Sequence, residues 1–497
     1  MKENLFEKFD PKQNISEDLK TTLVNFTEMV GDTSELVVKH AKIAGCNACI
    51  ITAEGLINTM TISTLIYHPL TTLTTEHVDS EPLEPSELME KVQSRLIAVE
   101  QNQAKTYEKL SLFFMSGFAC ILIDGVDYAI AVGVQGFSTR GVQRPLIHDN
   151  IRGSCEAFCE VLRFNISLVR RRIRSPNFVT KISTIGEYSK TDIAVCYFKD
   201  KVDPEMLKEV EERLEKIPIS MILESGYVEP FLQDEGNSLF TQVGITDRPD
   251  SLAAKLYDGR IAVMVEGTPY VLFLPLLFTE HFQTVDDYTG LNIFTGFVRI
   301  VKYFAFLMCV LLPGFFVAAT NFHPELFPPN ILFNIINSEQ KTPFTILAEA
   351  VIVIVIFKVM REAGLRLPSV VGHAVSIVGG LVLGDIVISV GLISAPIVLV
   401  VAFSVIASFI VPDLYPTIAV LRFGFVLAGG LFGLFGITAL GVAVLFKVCS
   451  MSAYGVPYMA PLTPFTLRGM RDYFVRLDWY KLVKKDVNLN RMTGVSK

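Results

Sequence analysis

Between about residues 300 and 450 this sequence is dominated by long apolar runs, which limits what the chain can fold into more than any other feature. A helix that crosses a bilayer needs about 20 mostly apolar residues. VKYFAFLMCVLLPGFFVAATNF (301–322), PFTILAEAVIVIVIFKVM (343–360), SVVGHAVSIVGGLVLGDIVISVG (369–391), SAPIVLVVAFSVIASFIVP (394–412) and FVLAGGLFGLFGITALGVAVLFK (425–447) meet that requirement. ILFNIINS (331–338) is too short and reads as an interfacial segment. Residues 1–290 instead mix polar and apolar positions, with charges throughout. The whole-chain averages, 51% apolar and 19% charged over 497 residues with a mean hydropathy of +0.43, therefore blend a soluble half with a membrane half. The expected fold is an α+β cytoplasmic N-terminal region of two subdomains (1–145 and 146–290), followed by an all-α polytopic membrane domain (291–450) and a basic C-terminal tail (451–497).

MKENLFEKFDPKQNISEDLK lacks the apolar h-region of a secretory signal, which leaves the first half in the cytoplasm. The eight scattered cysteines fit free thiols in a reducing compartment. The first forty residues read as acidic amphipathic helix, CNACIIT (46–52) and the Thr-rich stretch after it as strand, and 86–103 as helix. FFMSGFACILIDGVDYAIAVGV contains a hairpin turning at Asp124-Gly125. A helix from about 153 to 173 and a strand pair around VTKISTIGEYSKTDIAVCYF follow, then the charged helix PEMLKEVEERLEKI. GRIAVMVEGTPYVLFLP matches the first hairpin, Glu266-Gly267 standing where Asp124-Gly125 stood and Tyr270 where Tyr128 stood. The match suggests two related subdomains.

Chemistry in the soluble half is thin. Cys46 and Cys49 have redox or metal spacing but no second pair, so two buried thiols are the plainer reading. Arg163, Arg170, Arg171, Arg172 and Arg174 cluster near a helix end, where they suit the helix dipole, carboxylates or anionic lipid. No aromatic platform or groove-reading motif accompanies them, so no nucleic-acid partner is expected. With no P-loop, GxSxG or HExxH, nothing argues for an enzyme, a cofactor or a metal.

Basic residues in short loops orient the spans. Arg299 and Lys302 place the start of the first span inside, the 322–342 loop falls outside, and Lys358, Arg361 and Arg366 mark an inside turn. GLISAP is outside and Arg422 inside. A fifth crossing then leaves the tail outside, although its cations, Arg468, Arg471, Arg476, Lys481, Lys484, Lys485 and Arg491 among them, favour inside. That parity resolves if the region from Pro412 to Lys447 folds back or one segment does not cross.

Ionisable groups within the spans matter most, because each is costly in hydrocarbon and so faces protein or water. Arg361, Glu362 and Arg366 belong to the cytoplasmic turn, where Lys358–Glu362 and Glu362–Arg366 stand four apart and can pair. Glu349, His373 and Asp385 belong to the spans themselves. Gly372, Ser376, Gly380 and Gly384 form a small-residue stripe next to Asp385. Two readings stay open: glue between helices, or a pore built by several copies and lined by Gly379, Gly380, Leu381, Gly384 and Asp385, with an apolar constriction and a polar ring. The spans lack the internal repeat typical of a transporter, so a pore would come from a homo-oligomer.

MREAGLRLPSVVGHAVSIVGGLVLG, LFGLFGI and YGVPYMAPLTPF, together with LVRRRIRSPN, ESGYVE, VEPFLQD and DRPDSLAAKLYDGRIAVMVEGTP, resemble the A subunit of GerA-type spore germination receptors. The likeness runs from about residue 120 to 465. The same family includes the stage V sporulation protein AF. The resemblance implies a multi-pass protein of the spore inner membrane with its N-terminal domain on the core side. It would act with a transporter-like B subunit and a lipoprotein C subunit. Family A subunits are thought to oligomerise into a nutrient-gated channel that releases monovalent cations; an AF-type protein would amplify that release with another membrane partner. A non-conducting membrane scaffold and a proton-coupled transporter using Glu349 or Asp385 are the alternatives from other classes.

Overall fold

The computed structural model describes residues 10–31, 33–76, 83–98, 100–136, 145, 153–234, 238–366, 385–465, 469–474 and 480. The N-terminal half is built twice over from one plan. Helix α1 (Leu19–Val30) leads into β1 (Leu36–Ile43) and β2 (Cys46–Ala53), then β3 (Gln101–Ala104), α2 (Tyr107–Met115), β4 (Phe118–Ile123) and β5 (Ala129–Gly133). After it come α3 (Leu162–Arg170), β6 (Phe178–Ile185), β7 (Thr191–Phe198), β8 (Gly244–Thr246), α4 (Pro249–Tyr257), β9 (Ile261–Val265) and β10 (Val271–Leu274). The two five-stranded sheets have the orders β1-β2-β4-β5-β3 and β6-β7-β9-β10-β8, the same topology. Every pairing within them is antiparallel.

Both faces of each sheet are covered, which is why the central strands β4 and β9 are apolar at every position rather than alternating. Phe26 and Val30 of α1 and Leu110 and Phe114 of α2 pack on one face of the first sheet. Ile62, Ile66, Leu88 and Val92 cover the other. In the second unit α3 and α4 cover one face through Ile166, Val169, Leu252 and Leu256. Met206, Val210 and Leu214 of helix Pro204–Glu215 cover the opposite face.

Several local expectations change: β1 already begins at Leu36 within the first forty residues, and the helix read over 86–103 ends at Arg95, with 101–104 a strand. The Thr-rich stretch 59–76 is helical, not strand. Its hydroxyls fold back onto the preceding turn: Ser63 donates to the Thr59 carbonyl at 2.8 Å, Thr64 to Met60 at 3.0 Å and Thr74 to Leu70 at 2.8 Å. Ile62, Ile66, Leu70 and Leu73 then fall on one buried stripe at helical spacing. The helix expected from about 153 begins only at Leu162. Asn165 brackets the chain just before it, accepting from the Cys159 N–H at 2.8 Å and donating to the Cys159 carbonyl at 2.6 Å.

The helical half contains α5 (Asn292–Phe322), α6 (Pro329–Glu339), α7 (Ile346–Arg366), α8 (Ala395–Ser408) and α9 (Tyr415–Ser450). Among the described residues, Asn292–Phe322 and Pro412–Ser450 are long and apolar enough to cross a bilayer. The second is not one rod. Gly433 has φ 62 and ψ −148 inside α9, a conformation that a side chain disfavours, and the chain reverses there. Arms 415–432 and 434–450, each about 25 Å long at 1.5 Å per residue, lie side by side. Ile418, Leu421 and Phe425 pack with Ile437, Leu440 and Val444. Both open ends of the hairpin meet the same short stretch of the second unit: Thr417 donates to the Leu239 carbonyl at 2.5 Å, and Gln242 donates to the Ser452 carbonyl at 2.8 Å. The run 425–447, read from the sequence as a single span, therefore straddles a turn at Gly433.

Candidate functional site

Of the residues singled out in the membrane half, Glu349, Arg361, Glu362, Arg366 and Asp385 are described. His373, Gly379, Gly380, Leu381 and Gly384 lie outside the described residues.

Glu349 is fully buried near the start of α7. Its Oε2 accepts from the Ser394 N–H at 3.0 Å and from the Ser394 hydroxyl at 2.6 Å. Ser394 is the residue before α8, so Glu349 caps that helix from a neighbour and places negative charge where the helix dipole favours it. At the other end of α7, Glu362 pairs with Arg366 at 2.8 Å, as the i, i+4 spacing expected. Lys358 and Arg361 turn instead to Tyr415, with Arg361 3.0 Å and Lys358 5.0 Å from its ring centre. Asp385 is exposed, and so are its helical neighbours Ile386, Ser389 and Val390.

A polar knot that the sequence reading missed ties three helices together. Pro313 lies within α5 and has no N–H, which frees the carbonyl four residues earlier, that of Cys309. Arg422, on the first arm of α9, donates its Nε–H to that oxygen at 2.8 Å, and Ser404 of α8 adds its hydroxyl at 2.9 Å. Arg422 also donates to the Ser404 carbonyl at 3.0 Å. Pro313 was a readable signal that a carbonyl would need a donor; Arg422 was read as a loop cation. Just beyond the knot, α5 and the first arm approach backbone to backbone. A Cβ on Gly314 would overlap the Phe425 carbonyl, and one on Gly429 would overlap the Gly314 carbonyl. Close approach through glycines is thus present in described helices away from the 372–384 stripe.

Arg299 and Lys302, also read as loop cations, are buried at the start of α5. Arg299 bonds to Asp287 at 2.7 Å and to Asp472 Oδ1 at 2.8 Å, and Lys302 donates to the Phe282 carbonyl at 3.2 Å and to Thr284 at 3.1 Å. The Tyr288 hydroxyl donates to Asp472 at 2.6 Å. Residues 469–474 thereby return to the end of α5 that joins the N-terminal half.

A cavity of about 410 Å³ lies between the second sheet unit and the turn before α9, with Arg248, Lys255, Glu280, His281, Thr284 and Asp413 in its wall. Burial alone would raise the Glu280 carboxyl, but Arg260, 2.7 Å away, and Lys255 hold it at about 2. Burial presses His281 down to about 4 against the weaker pull of Asp413 and Glu280. Its Nε2 lies 3.1 Å from the Tyr458 hydroxyl.

In the soluble half the arginine cluster serves the chain itself. Arg170 and Glu35, both buried, stand 2.6 Å apart and join the two units, as do Arg163 and Glu54 at 2.5 Å; Arg171 and Arg172 both reach Glu156. Cys46 and Cys49 point to opposite faces of β2, one toward each core, so their thiols do not converge. Burial pushes Cys49 up to about 12.

Residues 24–487 match the family described as Bacillus/Clostridium GerA spore germination protein. The chain is similar to spore germination protein KA of Bacillus subtilis (strain 168), at 36% identity covering 96% of this chain and 88% of the relative. It is also similar to the membrane protein YfkQ of the same organism, described as uncharacterized, at 31% identity covering 97% of this chain and 93% of the relative. Among solved structures, the N-terminal domain of the A subunit of the Bacillus megaterium spore germinant receptor GerK3 aligns at 27% identity with a TM-score of 0.43, covering 54% of this chain and 99% of that domain.

Proposed function

Because the chain belongs to the Bacillus/Clostridium GerA spore germination protein family, we propose that it is the A subunit of a germination receptor and that copies assemble into a nutrient-gated channel releasing monovalent cations. It is a membrane protein, and its family is one of germination proteins rather than enzymes. The observation that carries the channel reading is Asp385. Asp385 is exposed on the single chain, beside the exposed apolar residues Ile386 and Val390. Hydrocarbon is a costly neighbour for such a group, whereas a wet axis shared by several copies is not. Glu349, by contrast, is spent inside one copy as a helix cap, which argues against proton-coupled transport through it. On this reading Gly379, Gly380, Leu381, Gly384 and Asp385 line the pore and His373 lies along the same segment, while Arg361, Glu362 and Arg366, expected in a connecting turn, stand on the last helical turns of α7. The partners are a transporter-like B subunit, which would hold the nutrient, and a lipoprotein C subunit. The setting is the spore inner membrane, with the N-terminal half on the core side.

The test is ion flux through the purified chain in liposomes. Leu381→Ala is expected to raise cation leak and Leu381→Trp to lower it, with assembly unchanged; Asp385→Asn is expected to cut flux several-fold. Unchanged flux across these variants would remove Leu381 and Asp385 from the pore, and no flux from any of them would leave a non-conducting scaffold as the better description.

A further inference from the structure

We infer that Lys358 and Arg361, at the end of α7 nearer the soluble half, form a docking site for the headgroup of an anionic phospholipid. The two cations and the aromatic rings beside them stand where a band of exposed apolar side chains ends. Val355 and Val359 on α7, Ile406 on α8 and Phe409 just after it are all at least half exposed, a surface suited to acyl chains. Above that band the Arg361 guanidinium lies over Tyr415 and 5.6 Å from the Phe409 ring centre, and the Lys358 ammonium lies 5.0 Å from the Tyr415 ring centre. Tyrosine and cations together at the edge of an apolar band mark headgroup depth.

The charge balance points the same way. Glu362, the acid next in sequence, is already held by Arg366. The Arg361 Nη1 is buried without a hydrogen-bond partner. Deeper along the first arm of α9, seven residues past Tyr415, Arg422 adds a third cation whose bonds go to neutral carbonyls. The rest of Arg361 is only partly buried, and a phosphate at its accessible edge would supply an acceptor, because phosphate oxygens accept from planar donors. Lys358 is exposed and adds a point charge within reach of the same phosphate. A carboxylate on a second copy would meet the charge but not the apolar band below it.

The full chain is reconstituted in nanodiscs of phosphatidylcholine, with or without phosphatidylglycerol. Phosphatidylglycerol is expected to raise the Tm and to stay bound through native mass spectrometry. Lys358→Gln with Arg361→Gln should lower its retention about 25-fold, from about fivefold per cation. The charge-keeping pair Lys358→Arg with Arg361→Lys should retain it, and so should Lys208→Gln, which removes an exposed cation from the soluble half. The inference is overturned if the double glutamine variant keeps its phosphatidylglycerol. It is also overturned if inorganic phosphate in pure phosphatidylcholine gives the same rise in Tm, which would mark a free-anion site. Cross-linking of Arg361 to a carboxylate of a second copy would overturn it as well.

Discussion

The two α+β units share a fold down to the atoms of a turn, yet they serve different neighbours. In the first, the Asp124 Oδ1 accepts from the Leu19 N–H at 3.1 Å, and the Gly125 N–H donates to the Glu17 carbonyl at 2.8 Å. In the second, Glu266 accepts from the Leu162 N–H at 2.7 Å, and the Gly267 N–H donates to the Glu160 carbonyl at 2.8 Å. Each hairpin acid caps the leading helix of its own unit, and each glycine takes a positive φ, 87 and 90, to turn the chain. What differs is the face beside the long inner strands. Helical elements of the first half close it in the first unit, whereas Ala453 and Tyr454, just after α9, enter the core of the second. The Tyr454 hydroxyl donates to the Leu232 carbonyl at 2.5 Å, and its N–H donates to Asp234 at 3.1 Å. The comparison teaches that the repeated frame supplies stability, while divergence is concentrated where the second copy grips the helices.

Three measurements sharpen or break that comparison. The largest effect is expected at the seam between units. Arg170→Met strands the buried Glu35 and should cost about 3–5 kcal/mol, read by denaturant unfolding of the full chain. Glu35→Gln added to it should recover part of the loss, and full additivity of the two would mean that the pair does not couple them.

Acid should then separate the units. His281 takes a proton near 6.5 when unfolded but only at about 4 when folded, so its contribution is complete above about pH 6.5 and fades as pH falls to 4. That step is worth about 3 kcal/mol. Glu280, held at about 2 against an ordinary 4.5, keeps its contribution down to about pH 4.5 and loses it as pH falls to about 2. The first unit's His40 and His68 are exposed. Protection factors, corrected for the slower intrinsic exchange in acid, should therefore fall at pH 5 against pH 7 in β9 and β10 and stay nearly unchanged in β4 and β5, and an equal fall in both sheets would contradict the assignment.

The smallest effect belongs to the shared cap. Asp124→Ala and Glu266→Ala should each cost about 1 kcal/mol, and a clear inequality in Tm loss would show that the second turn does more than close its own unit.

Legibility followed the range of the forces involved. The hairpins could be read because a turn acid and glycine act within a few residues, and the matching pairs Asp124-Gly125 and Glu266-Gly267 even disclosed the repeat. The Thr-rich helix could not, because β-branched composition outweighed the 62, 66, 70, 73 stripe that decides it. Arg299, Lys302 and Arg422 looked like orientation markers because counting charges cannot see Asp287, Asp472 or a carbonyl released by Pro313. Gly433 hid within a run holding several other glycines, only one of which turns the chain. Glu349 stood out as costly in hydrocarbon, but its partner, Ser394, lies 45 positions away.

The oxygen of Cys309 works as a rivet. Three helices meet on one atom, so sliding any of them past the others would strand a buried arginine and a buried serine donor in the same instant. Movement along the bundle is then all or none for α5, α8 and the outgoing arm of α9, and elastic freedom is left to the segments that the rivet does not catch.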